Sequence, residues 1–411
     1  MIRQTIIVFS IFLFSLCLKL DAQNIQNYFQ TDGLSSNYVE CVAVDIFDNI
    51  WFGTSNGVSM FDGTSWITFN QSQYPNLLSN NIKSITAASN GDIWVGTDFG
   101  ACKLSSGVIG GSWQSYTTSD GLANNKIVRI DEGLNGDMWF SHSSFSAGIS
   151  VFDGTNWNSY NSPNLPASGV CATAFDSNGD QWFASPLNGL VHYDGTSFTN
   201  ITTSSGLLSD YSTSICIDNS NNIWLGSQDG MTVVENNLSQ FTFHTIMYSL
   251  PPPDTLNPVV EITKDSWGRV WAAIYVGYLA EGGVAYWNGS QWNDYDINDG
   301  LAGSNIKGIA IDSEDNVWVA TTTGVSKIIP IPSSSNEIER LFQFYHNPKE
   351  GKINIVGKHE TISIYDNLGR KYRFEKSSNG IYDLSNLTFG IYYVNILSNN
   401  QSYTYSIVII L

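Results

Sequence analysis

Seven tryptophans recur along the chain at a nearly constant interval, and that interval constrains the fold more than any other feature. Trp51, Trp94, Trp139, Trp182, Trp224, Trp271 and Trp318 are spaced by 43, 45, 43, 42, 47 and 47 residues. Each sits in a similar phrase, such as Asn49-Ile50-Trp51-Phe52-Gly53, Asp92-Ile93-Trp94-Val95-Gly96 or Asn222-Ile223-Trp224-Leu225-Gly226. A period of about 40–50 residues marks one supersecondary unit, repeated because no single copy covers its own apolar faces.

The first repeat shows what the unit is. Residues 38–44 alternate as a strand, 45–48 form an Asx-type turn, 49–53 return, 57–61 come forward again, and Asp62-Gly63 turns the chain into 66–69. That is a four-stranded antiparallel meander. Radial stacking of such sheets buries both faces of each, so the chain is predicted to be an all-β, seven-bladed β-propeller over residues 24–330. The repeated tryptophans, and the fourth-strand aromatics Trp66, Trp113, Trp157, Phe198, Phe241 and Trp292, read as packing between blades and not as a ligand box. The seventh repeat lacks a fourth strand before Pro330, and residues 27–30 match the missing pattern, so the N-terminal segment is expected to complete the last blade. Asp45, Asp176, Asp218, Asp265 and Asp312 stand six residues before their tryptophans. The loop at Asp176–Asp180 resembles a calcium loop, but it lacks the length and the distal Glu, and a hairpin turn is expected instead.

Residues 1–23 read as a secretory signal peptide: Arg3 is followed by an apolar run and a polar exit. No other stretch approaches the roughly 18 continuous apolar residues of a spanning helix, so no transmembrane helix is expected. The net charge of −19, from 18 basic and 37 acidic residues, repels phosphate backbones and argues against nucleic acid as a partner. The charge is uneven: residues 24–340 carry −22 and residues 341–411 carry +2, which marks a boundary. Residues 331–340 read as a linker, and the last seventy residues as a small β-sandwich built from short alternating strands with Gly and Asn turns. Cys41, Cys102, Cys171 and Cys216 are far apart with no metal spacing; a Cys171–Cys216 disulfide stays open, because both lie in equivalent strands of neighbouring repeats.

The phrase Asp32-Gly33-Leu34-Ser35-Ser36-Asn37, followed by Val39, Asp45, Asn49 to Thr54 and Gly57-Val58, resembles the two-component regulator propeller repeat; Asp120-Gly121-Leu122 and Asp299-Gly300-Leu301 echo it. In that family such propellers are often sensor modules ahead of a membrane helix and a histidine kinase, so the resemblance implies the ligand-binding module and not the signalling. The tail, with Phe344-Tyr345-His346-Asn347-Pro348, Gly351 to Ile355, Ile362 to Arg370 and Gly390 to Ile396, is similar to the C-terminal sorting domain of the type IX secretion system of Bacteroidetes. That resemblance implies recognition by the type IX machinery, export through the periplasm to the cell surface or the medium, and removal of the domain afterwards.

The chain holds five histidines, gathered at no repeat position, and no nucleophile elbow, HExxH or phosphate loop, so no catalytic set, metal site or cofactor is expected. Topology places the blade-to-blade links and the turns between second and third strands on one face, called here the link face. The two long insertions of repeat six lie there, and Trp267 and Trp287 are extra aromatics close by in sequence. Tyr211, Gln228, Asp229, Tyr275, Tyr278 and Glu281 are therefore the candidate ligand-binding residues: aromatic surface to stack a sugar ring, amide and carboxylates for hydroxyls. Two functions of different class follow. One is a secreted or surface binding module for a glycan or protein ligand; the other is a polysaccharide lyase or glycosidase with convergent acid and base groups in the central pocket.

Overall fold

The computed structural model describes residues 25–330 except 106–110, 143–147, 162–164, 168, 236–237, 248–256 and 276–281. It also describes residues 342–409 except 348–351, 358–360, 367–369, 373–374, 377–380, 385–386, 388–389 and 399–400. The signal peptide and linker expectations fall outside these residues. The chain divides into two compact units, Met1–Pro330 and Ile331–Leu411.

The first unit is the propeller. Its described residues form seven four-stranded antiparallel sheets, and the first strands of successive sheets adjoin in cyclic order, the seventh beside the first. Blade one runs Val39–Val44, Ile50–Thr54, Gly57–Phe61 and Trp66–Phe69. Blades two to six begin at Ser84–Ala87, Ile127–Glu132, Ala172–Phe175, Ser212–Ile217 and Val259–Lys264. Blade seven holds Ile306–Ile311, Val317–Thr321 and Gly324–Ile328, and its fourth strand is Ile25–Tyr28, with Ile25 opposite Ile328 and Tyr28 opposite Val325.

The N-terminal segment thus completes the last blade, but two residues earlier than the sequence pattern suggests. The Phe29 N–H donates to Asp32 Oδ2 at 2.8 Å, and that turn takes Phe29 and Gln30 out of the ladder.

Every repeated tryptophan is buried, and each packs on the blade that follows. Trp51 joins Ile82, Ile85 and Val95 of blade two, Trp271 joins Ile306 and Val319 of blade seven, and Trp318 joins Val39 and Phe52 of blade one. The core is therefore a set of seams between blades. On the opposite face, polar clasps tie blades together. The Ser266 N–H and hydroxyl donate to Asp315, and those of Ser313 donate to Asp48, which closes the ring across 265 residues. Asp48, Asn221 and Asp315 hold positive φ of 68°, 66° and 62°, a region that Asn and Asp tolerate best after Gly.

The second unit is a small β-sandwich of two antiparallel sheets. One joins Phe342–Asn347, Lys352–Gly357, Ile381–Asp383 and Glu375–Lys376; the other joins Lys371–Tyr372, Thr361–Asp366, Gly390–Ser398 and Gln401–Ile409. Ile364, Leu384, Leu387, Tyr392 and Val394 are buried in it.

All four described cysteines are free, so the open disulfide is not formed. The Cys171 thiol instead donates to the Ala184 and Ser212 carbonyls, both at 3.2 Å.

Candidate functional site

The first strand of each blade faces the axis, and in five blades it is bulged. The ladder to the second strand slips between Val39 and Cys41, Ile127 and Arg129, Ser212 and Ser214, Val259 and Glu261, and Ile306 and Gly308. A bulge sets two residues against one and re-aims a side chain. The extra residues are Glu40, Val128, Thr213, Val260 and Lys307, and all of them line a central cavity of about 540 Å³.

One guanidinium spans this cavity. Arg129 Nε donates to Asp131 Oδ1 at 2.9 Å, and its Nη1 donates to Glu261 Oε1 at 2.8 Å, joining blade three to blade six. Burial opposes the charge, but Asp131 and Glu261 outweigh it and hold Arg129 protonated well above its ordinary range. Both carboxylates also bond the next blade: Asp131 Oδ2 accepts from the Thr173 N–H at 3.0 Å, and Glu261 Oε2 from the Ile309 N–H at 2.9 Å. Glu132, at the opposite-face end, accepts from the N–H and hydroxyl of Ser89. An acid–base pair for glycoside cleavage needs carboxylates that exchange protons with substrate. Three of the four carboxylates that line the cavity are instead engaged in holding blades together.

The thiols follow the same logic. Burial, reinforced by Glu40 and Glu261, pushes Cys41 well up, and burial pushes Cys171 up to about 12, so neither supplies a thiolate at neutral pH. The described propeller histidines pack elsewhere. His142 is buried against Ser150, His192 stacks on Trp182 and meets Asp180 at 2.8 Å, and His244 accepts from the Trp292 indole at 3.2 Å.

At the link-face end, Lys307 Nζ lies 5.5 Å from the Tyr275 ring centre and 5.9 Å from that of Tyr38. This aromatic–cation group borders the cavity. Tyr38 did not emerge from sequence reasoning, yet a signal was present: it stands thirteen residues before Trp51, as Tyr211 stands before Trp224. The two share a local geometry, since the Tyr38 and Tyr211 N–H groups donate to Ser36 and Ser209 hydroxyls, and both rings are exposed. Glu40 and Lys83, also on the cavity wall, were likewise not singled out.

The other sequence candidates fall into separate groups. The pairing of Ser212 with Ser227 puts Tyr211 beside Gln228 at the link end of blade five, with Asp229 next in the same exposed turn. Tyr275 sits at the cavity, half-buried, its N–H bonded to the Pro258 carbonyl. It stands on blade six, on a different blade from Tyr211, Gln228 and Asp229. Tyr278 and Glu281 lie outside the described residues, as does most of the long blade-six entry. Trp267 and Trp287 are packing residues: Trp267 covers Arg269 at 4.0 Å, and Trp287 meets His244 and Trp292.

Comparison with known proteins agrees with this architecture. The two component regulator propeller profile matches residues 33–56, 76–99 and 206–229, and the secretion system C-terminal sorting domain profile matches residues 343–410. The chain therefore carries regulator-propeller repeats followed by a sorting domain, which marks it for export to the cell surface or the medium. Among solved structures it is similar to the extracellular domain of the hybrid two-component system BT3049 of B. thetaiotaomicron, at 18% identity and a TM-score of 0.62, covering 92% of this chain and 54% of that one. It is also similar to PorZ, a surface component of the type-IX secretion system of Porphyromonas gingivalis, at 16% identity and a TM-score of 0.59, covering 92% and 60%. A third similar structure is virginiamycin B lyase of Staphylococcus aureus, at 17% identity and a TM-score of 0.59, covering 75% and 99%. The chain thus spans little more than half the length of the first two, and at these identities the likeness concerns the fold. No curated protein matches the chain. No helix among the described residues is long and apolar enough to cross a membrane.

Proposed function

We propose that the protein is an exported binding module that presents the link face of its propeller to a glycan or protein ligand, while the sorting domain engages the type IX machinery. The observation that carries this reading is the Tyr38–Lys307–Tyr275 group at the border of the central cavity. A cation between two aromatic rings offers stacking surface and charge together at a concave site. The ion network of Arg129, Asp131 and Glu261 favours binding over chemistry, because its charges already satisfy one another. Tyr211, Gln228 and Asp229 extend the proposed contact surface to blade five and Tyr275 to blade six, while Tyr278 and Glu281 lie outside the described residues.

The test is a screen of the full chain against immobilised glycans and peptides, followed by Tyr38→Ala with Tyr275→Ala. Binding to whatever the screen returns is expected to fall at least about tenfold, each aromatic contact contributing about 1 kcal/mol. The melting temperature should move little, because Tyr38 is exposed and Tyr275 half-buried. Unchanged affinity with a large fall in melting temperature would assign both rings to packing.

A further inference from the structure

The two sheets of the sorting domain end in four edge strands, and three of these are blunted. In one sheet the edges are Phe342–Asn347 and Glu375–Lys376; in the other they are Lys371–Tyr372 and Gln401–Ile409. Glu375–Lys376 and Lys371–Tyr372 are two residues long and carry charge. Phe342–Asn347 is followed directly by Pro348. Short strands, charged side chains and proline are the usual means of keeping a sheet edge from pairing with another chain. Gln401–Ile409 uses none of them. It is nine residues long and holds no charged residue, glycine or proline.

One side of this strand is fully used. It pairs with Gly390–Ser398 over its whole length, Gly390 opposite Ile409 and Ser398 opposite Gln401. No described strand pairs with its other side. Alternate residues of an antiparallel strand turn their N–H and C=O groups to opposite neighbours, so about half of this backbone points away from the sheet, along roughly 30 Å. The register also fixes the two faces. Ile407 and Tyr405 stand opposite the buried Tyr392 and Val394, whereas Ser406 stands opposite Tyr393, which is 40% exposed. Ser402, Thr404 and Ser406 therefore share the outer face, and Tyr403, Tyr405 and Ile407 the core face. That alternation pins the strand against slipping.

An open main-chain ladder selects its occupant by chemistry. Outward N–H and C=O groups at strand spacing are matched by another extended backbone, as when a peptide adds a strand to a sheet. Main-chain pairing asks little of side-chain identity, which suits a module whose task is to be recognised for sorting. The strand lies within residues 343–410, the stretch that matches the sorting-domain profile.

We infer that the sorting domain is read by strand addition: an extended segment of the export machinery pairs along the outer edge of Gln401–Ile409 and lengthens the sheet by one strand. The inference rests on the proposed engagement of the sorting domain with the type IX machinery, and it names the surface and the mode of that engagement.

The test uses the full chain, expressed in a cell that carries the export machinery. A photo-reactive phenylalanine analogue is placed at Ser402, Thr404 or Ser406 in turn, and its adducts are mapped by mass spectrometry. Strand addition predicts adducts to one machinery protein, stepping by two residues along one segment as the probe moves from Ser402 to Ser406. Adducts to this chain, within one molecule or between copies, assign the edge to the protein itself and overturn the inference; adducts without a register do the same. Tyr403→Pro and Thr404→Pro form the second arm, with Tyr403→Ala and Thr404→Ala as side-chain controls. Neighbouring residues point their N–H groups to opposite sides, so one proline removes an outward donor and the other a bond to Gly390–Ser398. The proline that melts like its alanine control is expected to lower surface protein at least about tenfold, as the loss of a strand hydrogen bond implies. Where both prolines lower the melting curve, the adducts decide. If that proline is exported like its control while deletion of residues 341–411 still abolishes export, the inference falls and the sorting reading stands. Export that survives the deletion overturns both.

Discussion

Asp312 shows how one carboxylate organises a blade. Its Oδ1 accepts from the Glu314 and Asn316 N–H groups at 3.0 and 2.9 Å, and its Oδ2 accepts from the Trp318 indole at 2.9 Å. The same side chain therefore shapes the hairpin and fixes the tryptophan that fills the next seam. Asp45, Asp176, Asp218 and Asp265 do likewise for Trp51, Trp182, Trp224 and Trp271. Blade two has Ala88 at this place, and Lys103, paired with Asp92, lies over Trp94 instead. Asp312→Ala leaves a buried indole and an amide without their acceptor, so the denaturation midpoint should report a loss of about 3–5 kcal/mol. Asp312→Asn, which keeps an acceptor, should cost less; equal costs would show that the charge and not the acceptor matters. His142 gives a pH dependence. Burial lowers its pKa from 6.5 to about 4. Because the folded value lies below the unfolded one, the unfolded chain takes up the proton first as the pH falls. The contribution is complete above about pH 6.5 and is lost progressively down to about pH 4, amounting to about 3 kcal/mol. Urea midpoints at pH 7.5 and 5.0 should differ less in His142→Gln than in the wild type. An identical difference would place the pH sensitivity in other groups.

At the scale of the element, the recurring Asp-Gly-Leu phrase is a joint between blades. Asp32 and Asp120 accept from the Phe29 and Thr117 N–H groups and end the outer strand. Gly33, at φ 131°, passes so close to Trp66 that an added Cβ would lie 2.4 Å from the ring. Leu34 and Leu122 are then buried in the seams. The strand Ile25–Tyr28 uses this joint to close the ring. Tyr28 stacks on Trp318 at 5.5 Å and meets Phe61 and Trp66 of blade one. Tyr28→Ala is expected to cost about 3 kcal/mol, in the range of large aromatic truncations. Deleting Ile25–Tyr28 should expose the edge of Gly324–Ile328, and hydrogen exchange there should accelerate before that of blade four. Uniform acceleration would mean that the ring unfolds as one unit without a weak seam. Much of this was legible in the sequence, because strand alternation and the tryptophan period are local patterns repeated seven times, and the Asp turns recur in five of the repeats. The end of the first strand was missed by two residues, because the capture of the Phe29 N–H by Asp32 is a side-chain event that alternation does not register. The contact between Arg129 and Glu261 was not legible, since it joins residues 132 apart and depends on bulges that leave no compositional mark. Tyr38 was legible and overlooked, because it stands at the offset of Tyr211.

The propeller unit is a ring without a covalent closure, so its cohesion depends on what holds opposite blades as well as neighbours. The sorting domain governs where it goes: deleting residues 341–411 should retain the chain inside the cell envelope, read as loss of surface or medium protein by fractionation. The propeller is held along its rim by seams and clasps, and across its axis by Arg129. In a seven-membered cycle no blade is further from the third than the sixth, and the guanidinium spans that distance through two charge-assisted bonds. Removing it leaves Asp131 and Glu261 facing the cavity with their cation gone, and unpaired charges of this kind cost about 3–5 kcal/mol when fully buried. The side chains here keep 13% and 16% exposure to the cavity, so the lower end of that range is expected. Arg129→Met should therefore lower stability by about 3 kcal/mol. Glu261→Met alone should also destabilise, because the Ile309 N–H loses its acceptor. In the double variant no Glu261 carboxylate is left without its cation, although Asp131 still is, so its loss should fall short of the sum by about 1–3 kcal/mol. Strictly additive losses in a double-mutant cycle would show that Arg129 and Glu261 contribute separately, and that the ring is held by its rim alone.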